Sequence, residues 1–250
     1  MKLNRYQAFA THLMGSVAVA LCSAALVFFV WYPDKLPQAT GVTNIFLMLL
    51  AVDVIVGPVI TLIVFNTAKK ELKRDLLVVL LLQVGALLYG LHAVFIARPV
   101  YRVFSVDRFE LVYANDLTDA KLQKATDPHF KTPPVLGPET ISARRPETSK
   151  ERLDIAMGAV AGGDDVAQLP QFYAPYSEAK DLVLGRLQPL EKLNDFNKDR
   201  RTDVDALIKK YAARTGGVGY LPTRGKVQDL TVIVARDSAK VLESLDLNPW

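Results

Sequence analysis

The stretch VTNIFLMLLAVDVIVGPVITLIVF, Val42–Phe65, decides the fold, because it is long and almost wholly apolar. Asp53 is its one charged residue. A helix that crosses a bilayer needs about 20 predominantly apolar residues. Two more stretches meet this requirement, Leu13–Tyr32 and Leu76–Ala97, and neither contains Asp, Glu, Lys or Arg. The sequence therefore predicts three N-terminal transmembrane helices.

The composition changes after the third apolar stretch. We predict a transmembrane region over residues 1–97 and a water-soluble domain over residues 98–250. The first stretch exceeds the roughly 7–15 residues of a signal-peptide core and ends in FFVWYPDK, without a small-residue cleavage pattern, so we interpret it as a retained anchor. The chain contains one cysteine, Cys22, so no intramolecular disulfide is possible.

Positive charges in the short loops predict the orientation of the helices. Lys2 and Arg5 precede the first helix, and the basic loop KKELKR, 69–74, separates the second helix from the third, whereas the loop Pro33–Gly41 carries a single Lys35. This pattern favours a cytoplasmic N-terminus and a C-terminal domain on the outer side. Three arginines beyond the third helix oppose the pattern without reversing it: Arg98, Arg102 and Arg108.

The polar residues of the membrane helices are the first candidate site. An ionised carboxylate at a helix centre costs about 2.5–3.5 kcal/mol on insertion scales, so Asp53 is expected to face the bundle or a partner, or to be protonated. Asp53, Gly57 and Thr61 share one face, and Pro58 is expected to kink the helix. A face of the third helix comprises Gln83, Ala86 and Gly90. Either these faces pack the three helices together, or one of them receives a helix of another protein.

Strand signals stand at both ends of the soluble domain. Val100–Val106 and Phe109–Tyr113 predict a hairpin or one long bulged strand. Leu230–Ala235 and Val241–Leu245 predict two paired strands near the C-terminus. The expected fold is α+β, with the terminal strands in one antiparallel sheet, helices between them, and Trp250 near the start of the domain.

The middle of the soluble domain is predicted to be helical. The predicted N-caps of its helices are Thr148, Ser177 and Thr202. The first of these helices carries an apolar stripe that we expect to face the core: Leu153, Ala156, Met157 and Val160. The last carries another: Val204, Leu207, Ile208, Tyr211 and Ala212.

The sequence gives no catalytic, metal-binding or cofactor-binding pattern. His12, His92 and His129 are scattered, and neither HExxH nor paired CxxC is present. A G-x-S-x-G elbow and a phosphate-binding loop are also missing. With a net charge of +4, a nucleic-acid site would need clustered basic residues, and the main clusters flank the apolar stretches. We therefore expect no enzyme, no cofactor and no nucleic-acid partner.

A succession of motifs along the chain resembles a known family. Ala51–Phe65 fits "D-x-x-x-G-P-x-x-T-L", and Leu80–Asp116 fits "Q-x-x-A-L-x-Y-G", which includes Tyr89, followed by "A-R-P-V-Y", "F-x-V-D-R-F" and "A-N-D". The motif residues just after the third helix are Arg98, Pro99, Tyr101, Phe104, Asp107, Arg108 and Phe109. Together with "Y-L-P" and a closing "P-W", these motifs resemble the TfpX/TfpZ family of type IV pilin accessory proteins. Leu-Pro-Thr stands where Leu-Pro-Leu is more usual.

The resemblance implies a bacterial inner-membrane protein with a periplasmic domain. Its implied partners are the type IV major pilin, the pilus assembly machinery and the lipid bilayer. It implies a pilin-specific chaperone or assembly modulator. We expect the two polar membrane faces, including Pro58 on the first and Tyr89 beside the second, to dock the pilin helix or to pack the bundle. Two alternatives remain open, a transmembrane sensor and a small transporter subunit that uses Asp53.

Overall fold

The computed structural model describes residues 4–250, and the chain divides into two compact units. The first unit comprises the chain up to Val30 together with Val42–Ala97, and the second comprises Trp31–Gly41 together with Arg98–Trp250. Lys2, used above to orient the helices, lies outside the described residues.

The helices and strands alternate irregularly after the membrane region. In chain order the helices are α1 (Arg5–Ala25), α2 (Leu36–Thr40), α3 (Val42–Ala51), α4 (Gly57–Val64), α5 (Leu72–Ile96), α6 (Asp119–Leu122), α7 (Ser149–Val160), α8 (Lys180–Arg186), α9 (Leu193–Phe196) and α10 (Arg201–Ala212). The strands are β1 (Pro99–Ser105), β2 (Arg108–Tyr113), β3 (Glu139–Ala143), β4 (Tyr173–Pro175), β5 (Val218–Arg224), β6 (Leu230–Ala235) and β7 (Val241–Leu245).

Three helices within residues 4–250 are long and apolar enough to cross a membrane, as predicted: Arg5–Trp31, Val42–Val64 and Leu72–Ile96. The first begins earlier than predicted, because Asn4 caps it. The Asn4 side chain accepts a hydrogen bond from the Gln7 main-chain N–H, and the Gln7 side chain accepts one from the Asn4 N–H. The chain is therefore a membrane-associated protein.

A π-helical turn, Val52–Val56, joins α3 to α4 and carries Asp53. Gly57-Pro58 follows at once and begins α4. Proline has no N–H to donate to the preceding turn, and a π-helical turn is one way in which a membrane helix accommodates that missing bond. A second π-helical turn, Leu26–Trp31, ends the first membrane helix.

Within residues 98–250 the seven strands form one sheet in the order β4-β3-β1-β2-β5-β6-β7. β1 and β2 form the predicted antiparallel hairpin, so the alternative of one long bulged strand is wrong. β2 joins the C-terminal strands through β5, as expected of one sheet, but this pairing is parallel. The expected antiparallel sheet is therefore mixed, because the long excursion between β2 and β5 allows a parallel return.

The helical middle departs most from the sequence-based prediction. The sequence-based prediction missed β3 and β4. β3 pairs in parallel with β1, and β4 pairs antiparallel with β3 at the edge of the sheet. Thr148 caps α7 as predicted, since its side chain accepts from the N–H of Glu151. Ser177 and Thr202 cap no helix, because a 3-10 turn precedes α8 and α10 begins at Arg201.

The two predicted apolar stripes have different fates. In α10, Val204 and Leu207 are buried in the core against β5 and β6, as predicted. In α7 the prediction is wrong, because Leu153, Met157 and Val160 are all exposed. An apolar stripe shows that a helix has one apolar face, but it does not show that the domain covers that face.

The segment between the first two membrane helices folds with the second unit. Tyr32, Leu36 and Ala39 are buried, and the carbonyl oxygen of Ala39 accepts a hydrogen bond from the N–H of Val227, 2.9 Å away. Gly41 ends α2 with a φ of 73°, a left-handed conformation that favours glycine. A segment predicted as a simple loop is thus part of the packed domain.

Candidate functional site

Asp53 lies inside the three-helix unit with 7% of its surface exposed. Its main-chain oxygen accepts a hydrogen bond from Gln83 Nε2 on α5 at 2.9 Å. Neither of its carboxylate oxygens makes a hydrogen bond with any described residue, and the same holds for Gln83 Oε1. Buried polar groups normally have hydrogen-bonding partners. The Asp53 carboxylate and Gln83 Oε1 are therefore acceptors that could bind a further donor.

Gly57 lets α5 approach the π-helical turn. A Cβ atom at Gly57 would lie 1.8 Å from Gln83 Nε2, so a larger residue would displace the amide that holds Asp53. Pro58 and Thr61 are buried on neighbouring positions. Thr61 Oγ1 shares a hydrogen bond of 2.6 Å with His12 Nδ1 on α1. This face of α4 is thus occupied by α1 and α5.

The predicted face of α5 is divided between contact and exposure. Gly90 meets α3, since a Cβ there would lie 2.4 Å from Leu49 Cδ1. Ala86 is exposed, and Tyr89 is 78% exposed. Within the described chain, Asp53, Gly57, Thr61, Gln83 and Gly90 therefore contact other helices of the bundle, whereas Ala86 and Tyr89 do not face them.

Sequence reasoning missed the role of His12, which it treated as an isolated histidine. The signal was available in retrospect, because a polar side chain in an apolar helix needs a partner on a neighbouring helix. Among residues 4–250, no hydrogen bond links the His12–Thr61 pair to Asp53, and His92 is exposed. Among the described residues, Asp53–Gln83 and His12–Thr61 are thus two separate contacts, and no hydrogen bond joins them into a relay.

The motif residues after the third helix build the core of the second unit. Tyr101 packs edge-on against Tyr173 at 5.3 Å between ring centroids. Phe104 and Phe109 face each other across the β1–β2 hairpin, with centroids 5.7 Å apart. Pro99 is buried, and Arg98 donates to the carbonyl oxygen of Pro134. These residues are internal, so they hold the hairpin and do not form an outer binding surface.

Arg102 is a buried charge that sequence reasoning did not single out as a site. Its guanidinium donates to Ser244 Oγ on β7, at 3.2 Å. Burial lowers the pKa of Arg102, and the nearby Asp34 and Tyr176 oppose that shift. Arg102 therefore ties the first hairpin to the C-terminal strand and places a positive charge near the segment 31–41.

Arg108 joins the two ends of the second unit. It donates to Glu110 Oε1 at 2.6 Å, and its guanidinium lies 5.9 Å from the ring centroid of Trp250. Trp250 Nε1 in turn donates to Asp229. Burial raises the pKa of Glu110, while the hydrogen bond from Arg108 opposes that rise. The placement of Trp250 near the start of the domain is thus confirmed, whereas Asp107 stays exposed in the turn.

Two clefts open on the second unit. One, of about 480 Å³, is polar and includes Asp116, Lys121 and Lys226. The other, of about 550 Å³, lies beside α7 and α8. Among the residues that the structure describes, no group of three or more His, Cys, Asp or Glu side chains is placed to hold a metal ion.

Comparison with known proteins gives matches along most of the chain. Residues 2–38 match the family model "Fimbrial assembly protein FimB". The "Fimbrial assembly protein, serogroup E1" of Dichelobacter nodosus is 29% identical over 214 residues, which cover 84% of this chain and 82% of that protein. The serogroup I protein gives the same identity and coverage.

A shorter relative from Dichelobacter nodosus is more similar. The "Fimbrial assembly protein, serogroups C1 and C2" is 34% identical over 116 residues, which cover 46% of this chain and 88% of that protein. No solved structure gives a significant match. This identity over almost the whole of one relative, with the coextensive matches to two others, shows that the chain belongs to the family of fimbrial assembly proteins (FimB).

Proposed function

We propose that this chain is an inner-membrane accessory protein that binds a type IV pilin subunit and promotes its assembly into pili. The observation that carries the proposal is family membership, because relatives named as fimbrial assembly proteins match over most of the chain. The resemblance to TfpX/TfpZ accessory proteins adds the pilin as the partner. The two units of the chain also match the two parts of a pilin. A pilin has a hydrophobic N-terminal helix, which the membrane helices could contact, and a globular head, which the second unit could contact.

The outer face of α5 is the proposed docking surface for the pilin helix. The face around Asp53 and Gly57 is filled by α1 and α5. Ala86 and Tyr89 are exposed, and the exposed small residues Gly85 and Ala93 flank them along the helix. Small residues allow two membrane helices to approach closely, and a tyrosine hydroxyl can donate a hydrogen bond across the interface. The second unit would contact the pilin head and act as a chaperone or assembly modulator.

The proposed orientation has a cytoplasmic N-terminus and a periplasmic second unit. The basic loop 69–74 supports it, because positive charge in short loops favours the cytoplasmic side. Arg98 and Arg102 oppose it by position alone, but both are buried and donate hydrogen bonds inside the second unit. Charges engaged in a folded domain weigh less against the orientation than charges in a short free loop.

Photocrosslinking in cells tests the docking surface. A photoreactive amino acid at position 89 on α5 is expected to crosslink to pilin. The matched control is position 21 on α1, which is also well exposed in the membrane unit. Crosslinks to pilin from position 89 that are absent from position 21 support the proposal. Crosslinks from position 89 to bundle residues alone, never to pilin, contradict the membrane half of it.

A small transporter subunit is the second candidate, because the Asp53 carboxylate is buried without a hydrogen-bonding partner among the described residues. Buried ionisable groups in membrane helices often lie on ion paths. Asp53→Asn distinguishes the two candidates. A carrier should lose proton or ion coupling in vesicles, whereas a pilin-binding protein should retain its ion permeability and change only in stability or pilin binding.

A further inference from the structure

Helix α7 lies on the second unit with its apolar face turned outward. Leu153, Met157 and Val160 are 61%, 63% and 86% exposed, and α7 buries none of its side chains among the described residues. The three residues are spaced i, i+4 and i+7, so they form one ridge along the helix, called here the apolar ridge. Large apolar side chains gathered on an exposed face are typical of interaction surfaces.

A cleft of about 550 Å³ opens beside the apolar ridge. Its apolar lining includes residues of the sheet and of α7 and α8, among them Phe104, Ala174, Ile155, Ala156 and Leu182. This volume lies within the range of sites that hold a small ligand or a few side chains of a peptide. Three neighbouring strands of the sheet, β1, β3 and β4, contribute lining residues, so one wall of the cleft is the sheet itself.

Arginines dominate the charge of the same cleft, which is called here the arginine cleft. Within the described chain its charged lining residues are Arg144, Arg145, Arg152, Arg186, Asp165 and Glu178. Arg144 pairs with Glu178 at 2.8 Å, and Arg152 donates to two main-chain carbonyl oxygens next to its own helix. No carboxylate of the described residues pairs with Arg145 or Arg186. The cleft thus offers two guanidinium groups to an outside anion.

We propose that the arginine cleft binds a segment of a partner protein that carries a carboxylate beside an aromatic or aliphatic side chain. A guanidinium group matches a carboxylate with two parallel hydrogen bonds, and the apolar lining accepts the neighbouring side chain. The apolar ridge extends the surface along α7, which suits an elongated peptide better than a compact headgroup. The inference goes beyond the proposed function, because it holds whichever protein supplies the segment.

Peptide selection tests the inference with the full-length protein in nanodiscs of uncharged lipid. A random dodecapeptide library is the probe, and the enriched sequences are expected to contain Asp or Glu next to an aliphatic or aromatic residue. A labelled copy of an enriched peptide is then titrated by fluorescence anisotropy. Arg145→Glu/Arg186→Glu is expected to weaken its binding about tenfold or more, and Leu182→Ser is expected to weaken it as well.

Matched variants separate the cleft from general effects of charge and apolarity. Lys198→Glu/Arg201→Glu makes the same change in net charge on an exposed surface, and Leu136→Ser removes an exposed leucine elsewhere. Both should bind the peptide as the parent does, and all variants should give the parent's circular-dichroism spectrum. Enriched peptides without acidic residues, or equal binding to Arg145→Glu/Arg186→Glu, would overturn the inference. So would binding of phosphatidylglycerol vesicles through these two arginines without any peptide binding, which would assign the cleft to lipid headgroups.

Discussion

Replacing Asp53 by valine should leave the three-helix unit as stable as before or make it more stable. An aspartate at a helix centre costs about 2.5–3.5 kcal/mol on insertion scales, and valine contributes about −0.3 to −0.6 kcal/mol. The variant loses no side-chain hydrogen bond, because neither carboxylate oxygen makes one with a described residue. The main-chain oxygen that binds Gln83 is kept. Repacking around the larger side chain costs about 1–3 kcal/mol, so we expect a net gain of about 0 to 3 kcal/mol.

Equilibrium unfolding of the full-length protein in mixed micelles of increasing SDS content measures the difference in unfolding free energy between the parent and the variant. Thr61→Val is the matched control, because it removes a hydroxyl that does have a partner, His12. Interhelical hydrogen bonds average about 0.6 kcal/mol, with a maximum of about 1.7 kcal/mol, so this variant should lose stability. A loss of more than about 1 kcal/mol in Asp53→Val would refute the reasoning, since it would mean that the carboxylate makes stabilising contacts.

The same variant links stability to function. If Asp53 is kept for function and not for packing, cells carrying Asp53→Val should assemble fewer pili although the protein accumulates normally. Sheared surface pili and total pilin, both measured by immunoblot, give this ratio. An unchanged amount of surface pili at normal protein level would show that Asp53 has no part in assembly.

Two further substitutions test other parts of the structure. Gly57→Ala should destabilise the membrane unit by about 1–3 kcal/mol, because its Cβ would lie 1.8 Å from Gln83 Nε2. The control Gly85→Ala places its Cβ in open space and should be neutral or slightly stabilising. Equal effects of the two substitutions in the SDS series would contradict this prediction. Burial raises the pKa of Glu110, so the folded protein favours the protonated carboxyl. The stability that this group contributes is present at low pH and is lost as the pH rises from about 4.3 through the raised pKa. Glu110→Gln should therefore make this fall in stability less steep. Thermal unfolding across a pH series measures this slope, and an unchanged slope in the variant would be the contrary result.

The membrane region was the most predictable part of the fold, because length and apolarity alone specify a spanning helix. The predicted first helix was too short at its N-terminus, because Asn4 and Gln7 form a capping box that precedes the apolar stretch. The β1–β2 hairpin was also predictable, because its pairing is local in sequence. β3 and β4 were missed, since each is short and pairs with a strand remote in sequence.

The candidate site was predictable in composition but not in direction. Helical spacing showed that Asp53, Gly57 and Thr61 share a face, but it could not show that α1 and α5 cover that face. The exposure of Tyr89 likewise depends on where α3 lies. The outward stripe of α7 follows the same rule, because a period of 3.6 residues identifies an apolar face without identifying its partner.

Co-purification with pilin tests the central claim most directly. The full-length protein is isolated in mild detergent from cells that express either the major pilin of the same strain or a pilin from an unrelated system, and bound pilin is quantified. We predict that the matched pilin is retained, that the unmatched pilin is retained weakly, and that a bulky substitution at Ala86 lowers retention of the matched one. Equal retention of both pilins, or of neither, would contradict the account.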